Sequence, residues 1–81
     1  MEKSEIKTNV LEVLKEITGS DLSDQMDVNL FDTAIMDSMA TVEMLLKLQE
    51  QLGLDVQISE FDREEWNTPE KIVNKVSGML Q

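Results

Sequence analysis

Apolar residues recur at helical spacing from the first turns of the chain. Ile6, Val10, Leu14 and Ile17 form a stripe that Val13 widens, with Glu and Lys opposite, and this pattern predicts a helix over Lys3–Thr18. Gly19 follows as the stop signal. A second helix is predicted from Ser38 to Leu52, ended by Gly53, with Asp37 or Ser38 able to cap it. A short third helix fits Ser59 to Glu65 with Ser59 as its cap. The last helix has the clearest start: Thr68 as cap, Pro69 at the first helical position and Glu70 in the first turn. Its stripe is Ile72, Val73, Val76, Met79 and Leu80. No segment reads as a strand. The expected fold is all-α, a small antiparallel bundle of three main helices plus one short one, forming a single domain over residues 1–81.

Two features do not fit a plain bundle. Residues 19–36 form a connection longer than a compact domain normally tolerates, yet it carries Leu22, Met26, Val28, Leu30, Phe31, Ile35 and Met36. That much apolar surface predicts a segment packed across the helices. The second helix also has one apolar face too many. Thr41, Met44, Leu45, Leu48 and Leu52 share one stripe, while Met39, Val42 and Leu46 fall on another, bordered by Glu43 and Glu50. Either the long connection covers this second stripe, or it is an exposed docking patch with an acidic rim.

Charge changes the picture further. Seventeen acidic residues against seven basic ones leave a net charge of −10. Such a surface repels nucleic acid and anionic membranes and draws in partners with basic patches. The chain has no Cys and no His, which excludes Ser-His and Cys-His catalysis and the usual zinc sites. No apolar run is long enough to span a membrane and no signal-peptide pattern opens the chain, so a cytoplasmic monomer with no membrane insertion of its own is expected.

Ser38 is the residue on which these features converge. On local grounds it reads as a helix cap. The same position places an ester-linked phosphate near the positive end of a helix dipole, beside free amides. With no histidine in the chain to act as its base, Ser38 is expected to need another enzyme's base and metal to become a nucleophile.

The run Leu30-Phe31-Asp32-Thr33-Ala34-Ile35-Met36-Asp37-Ser38-Met39 resembles the attachment motif of acyl and peptidyl carrier proteins, whose core is Asp-Ser-Leu. More narrowly, three stretches resemble the D-alanyl carrier proteins of Gram-positive bacteria: Ile17 to Asp21, Asn29 to Thr41, and Ser59-Glu60-Phe61-Asp62-Arg63-Glu64-Glu65-Trp66-Asn67-Thr68-Pro69. The similarity runs collinearly along essentially the whole chain. There are departures. Ala34, Ile35 and Met36 occupy a stretch where carriers usually have a glycine, Ala40 stands where D-alanyl carriers often have another, and Met39 replaces the common leucine.

The resemblance implies a non-catalytic carrier with 4'-phosphopantetheine attached to Ser38. A phosphopantetheinyl transferase would add the arm from coenzyme A, with Asp37 assisting. A D-alanine ligase would load D-alanine as a thioester, and a membrane-bound O-acyltransferase would receive it for teichoic acid esterification. Met39, Val42, Glu43 and Leu46 are the expected docking residues. A fatty-acid or peptidyl cargo is the nearest alternative, and a tunnel from Ser38 into the core would favour a fatty chain. A calcium loop over Asp21–Asp32 is a second alternative, with Met26 at the position that needs glycine and Asp32 where glutamate is needed. A third is an acidic scaffold with no prosthetic group.

Overall fold

A computed structural model describes residues 2–56 and 61–80. Helix α1 spans Lys3–Thr18, α2 spans Ser38–Leu52 and α3 spans Pro69–Leu80, with no strand among the described residues. Helix α1 packs against both α2 and α3. Gly19 and Gly53 end the first two helices in the left-handed region, at φ 75° and 70°. There each glycine donates its amide to the carbonyl four residues back, Lys15 and Gln49 respectively. Asp37, and not Ser38, caps α2: its carboxylate accepts from the Ala40 amide at 2.8 Å. Thr68 caps α3 through Oγ1, which accepts from the Lys71 amide at 3.1 Å.

The apolar stripes meet in one core. Ile6, Val10, Val13 and Leu14 of α1 join Met44, Leu45 and Leu48 of α2 and Ile72, Val73 and Val76 of α3. Met79 departs from the expected stripe and is 46% exposed. It lies about 90° around the helix from the stripe's centre, at the edge of the buried arc.

The long connection is part of this core. Leu22, Leu30 and Met36 are buried, and Met26, Val28, Phe31 and Ile35 pack partly against them. Two backbone bonds fasten it to the start of α3: the Leu30 amide to the Asn67 carbonyl at 2.7 Å, and the Glu70 amide to the Met26 carbonyl at 2.9 Å. Aromatic rings add a third tie. Phe31 meets Phe61 edge-on at 6.3 Å, and Phe61 lies 5.5 Å from the buried Trp66.

The short third helix differs from expectation. Its proposed cap, Ser59, lies outside the described residues, and the described part is a single 3-10 turn over Arg63–Glu65. Asp62 caps this turn by accepting from the Glu64 amide at 3.0 Å. The turn extends no further towards α3, because Trp66 enters the core, the Asn67 carbonyl accepts from Leu30 and Thr68 caps α3.

The connection is therefore a structural element in its own right. Leu30→Ala is expected to destabilise the domain by about 2–5 kcal/mol, the usual cost of truncating a fully buried leucine. Urea unfolding checks this. A loss below about 0.5 kcal/mol, the scale of a surface substitution, would show that the segment is only a linker.

Candidate functional site

Helix α2 begins at an exposed corner. Asp37 precedes it in extended conformation, at φ −124° and ψ −170°. The Asp37 carbonyl accepts the Thr41 amide at 3.0 Å and the Thr41 hydroxyl at 2.9 Å, which satisfies Thr41 where it is buried. With the Ala40 amide taken by the Asp37 carboxylate, the amides of Ser38 and Met39 remain open in the first turn. The Ser38 side chain is exposed, and its hydroxyl has no hydrogen-bond partner among the described residues. Capping falls to Asp37, so the Ser38 hydroxyl is free for chemistry.

The chain reaches this corner through a tight turn that opens at Asn29. Its Oδ1 accepts the amides of Phe31 at 3.1 Å and Asp32 at 3.0 Å. Its carbonyl accepts the Thr33 amide at 3.1 Å and the Thr33 hydroxyl at 2.7 Å. The turn closes at Ala34, which takes φ 60°. The Met36 amide then returns to the Leu30 carbonyl at 2.9 Å. Leu30 thus donates to Asn67 and accepts from Met36, joining α3 to the residue just before the cap of α2. Nothing in composition or periodicity pointed to Asn29. The signal for it is turn chemistry, an Asn whose side chain can hold amides two and three residues on.

Beyond Ser38, α2 shows its second apolar stripe to solvent. Met39 is 74% exposed, Leu46 58% and Val42 38%, with Glu43 and Glu50 exposed beside them. The apolar residues of the long connection belong to the core that α2 meets with its other stripe, and this stripe stays exposed.

Two hollows of about 400 Å³ lie elsewhere. One is lined by Lys3, Lys7, Met26 and Val73, the other by Glu64, Glu65, Lys71 and Lys75. Neither borders Ser38. Among the described residues, no group of three or more Asp or Glu side chains is placed to hold a metal ion. The stretch from Asp21 to Asp32 also lacks the exiting helix of a calcium-binding hand, since α2 starts only at Ser38.

Residues 8–76 match the family described as a phosphopantetheine attachment site. The chain is 60% identical to the D-alanyl carrier protein of Lactobacillus acidophilus over 73 residues, 90% of this chain and 92% of that one. It is 53% identical to D-alanyl carrier protein 1 of Lactiplantibacillus plantarum over 79 residues, 98% of this chain and 99% of that one. This chain belongs to the D-alanyl carrier protein family. The family is one of carriers that are in general non-catalytic, and its prosthetic group is a covalently bound 4'-phosphopantetheine. The start of α2 fits that group: an exposed, unpartnered hydroxyl stands beside open amides at the positive end of the helix, where a phosphate is favoured by about 0.3–1 kcal/mol.

Ala34 sits in the stretch where carriers usually have glycine, and its φ of 60° explains why glycine suits the place. A Cβ in this region costs about 1–2 kcal/mol, partly offset because alanine restricts the unfolded chain by about 0.4–1 kcal/mol relative to glycine. Ala34→Gly should therefore stabilise the domain by about 0.5–1 kcal/mol and raise Tm by a few degrees in a thermal melt. A lower Tm would show that the turn holds no strain.

Proposed function

We propose that Ser38 is the attachment residue and that the chain carries D-alanine for esterification of teichoic acids. The observation that supports this most is the free Ser38 hydroxyl at the mouth of α2, in a chain so similar to named D-alanyl carrier proteins. A phosphopantetheinyl transferase supplies the base and the metal for the step. The Ser38 Oγ forms a bond to the β-phosphorus of coenzyme A, the pyrophosphate bond breaks, and 3',5'-ADP leaves while the hydroxyl proton passes to the transferase. Asp37 uses one carboxylate oxygen to cap α2, and its second oxygen is free to meet the transferase's metal or cationic groups. Once attached, the arm's thiol holds the D-alanyl group as a thioester.

The chain's own contribution is a tether and a docking face. A short flexible tether sets an effective concentration in the millimolar range. Met39, Val42 and Leu46 form the apolar docking patch and Glu43 its charged rim, for the transferase, the D-alanine ligase and the membrane-bound O-acyltransferase in turn. With a net charge of −10, encounter with basic partners is fast and weakens with salt. The domain acts as a monomer in the cytoplasm. Among the described residues no helix is long and apolar enough to cross a membrane. A small cargo bearing an ammonium group needs no apolar shelter, which suits an attachment corner that neither large hollow borders.

Incubation with coenzyme A and a broad-range phosphopantetheinyl transferase should add the mass of one phosphopantetheine, and Ser38→Ala should abolish the gain. An unchanged wild-type mass overturns the assignment. Val42→Asp should keep the helical circular-dichroism signal and the unfolding midpoint nearly unchanged, because Val42 lies outside the core. Its loading by the D-alanine ligase should fall about ten-fold, as expected when a charge enters an apolar contact. Unfolding instead of impaired loading would place this stripe in the core.

A further inference from the structure

We propose that Asn29 is a positioning residue for modification of Ser38, acting through the shape of the turn that leads into α2. The inference rests on Ser38 being the attachment residue. Asn29 is distant from Ser38 in sequence and belongs to no helix, yet it organises the whole turn. Its Oδ1 holds the Phe31 and Asp32 amides, and its carbonyl holds the Thr33 amide and hydroxyl. The side chain serves only as an acceptor there. Because the turn is held, Asp32, Thr33 and Ala34 are all exposed, as are Asp37, Ser38 and Met39. The Met36–Leu30 bond closes the turn on itself one residue before Asp37, so the first exposed triplet lies within the closed turn and the second follows directly from its end.

The core does not require this shape. Leu30 and Met36 hold the connection by burial, and the Asn67–Leu30 bond anchors it to α3. Removing the Asn29 acceptor leaves those anchors in place and frees the exposed rim between them. Phe31 keeps its ring contact with Phe61 in either case. An incoming enzyme must then select the closed turn from a mixture, which raises KM by the inverse of the closed fraction and leaves kcat alone.

The test uses the full chain, coenzyme A and a broad-range phosphopantetheinyl transferase, with initial rates read by intact mass over a range of carrier concentrations. Wild type must first gain one phosphopantetheine on Ser38. If it does not, the attachment assignment fails and this inference with it. With wild type active, Asn29→Ala should raise KM about ten-fold with kcat within about two-fold, from the loss of the one oxygen that accepts two amides. Asn29→Asp keeps the acceptor and should return KM to near the wild-type value, measured at about 0.5 M salt so that its added charge is screened. An unchanged KM in Asn29→Ala, a fall in kcat alone, or an Asn29→Asp as impaired as Asn29→Ala overturns the proposal while leaving the attachment site intact. Should Asn29→Ala lose its cooperative unfolding transition, Thr33→Val carries the test. It deletes the hydroxyl's 2.7 Å bond to the Asn29 carbonyl together with its long 3.5 Å contact to the Leu30 carbonyl, and about a three-fold rise in KM is expected. No rise overturns the proposal.

Discussion

Burial of Leu30, with both of its backbone polar groups paired, is the constraint on which the rest of the molecule depends. A fully buried leucine in an irregular segment places an amide and a carbonyl where water cannot reach them. The amide finds Asn67 at the entrance to α3, and the carbonyl finds Met36 at the entrance to α2. One residue therefore joins the beginnings of two helices. It turns a connection too long for a compact domain into a third side of the bundle. Without that pairing, the chain before Ser38 would have no defined path.

The economy of the site follows from this. A domain of 81 residues has a small core, and α2 buries Thr41, Met44, Leu45 and Leu48 in it, with Ala40 and Leu52 packed at its margin. Its other apolar stripe is left in water because the connection lies elsewhere, on the core side. Such an uncovered stripe weakens solubility, and the strongly negative surface offsets it. The same charge that keeps the chain soluble suits basic partners and disfavours nucleic acid. Strain is also local to the site: Ala34 is the one described non-glycine residue at positive φ, in the turn that feeds α2.

Two residues of similar chemistry divide the work at the start of α2. Asp37 and Ser38 are both good caps by type, and local sequence does not choose between them. In the folded chain Asp37 takes the Ala40 amide, while Ser38 is the first helical residue and is exposed, its hydroxyl without a partner among the described residues. The electrostatic advantage of the helix end and an exposed hydroxyl thus fall at neighbouring positions. The chain needs no base of its own there, consistent with a carrier that other enzymes act upon.

Much of this was legible in the residues. Helical periodicity placed α1 and α2 at their observed limits, because Gly19 and Gly53 stop a helix by local backbone freedom, and Thr68-Pro69 marked the start of α3 for an equally local reason. The two-faced second helix was readable too, since a helical wheel needs only spacing. What spacing could not tell was which stripe of α2 the long connection would cover, that Asp37 rather than Ser38 would cap, or that the short third helix would shrink to a 3-10 turn among the described residues. Those outcomes turn on pairings between segments far apart in sequence, Leu30 with Asn67 and Phe31 with Phe61 above all. The sequence by itself determined the helices and the chemistry available at Ser38. Only the tertiary structure decided which surface surrounds it, because burying Leu30 leaves its polar backbone a single set of partners.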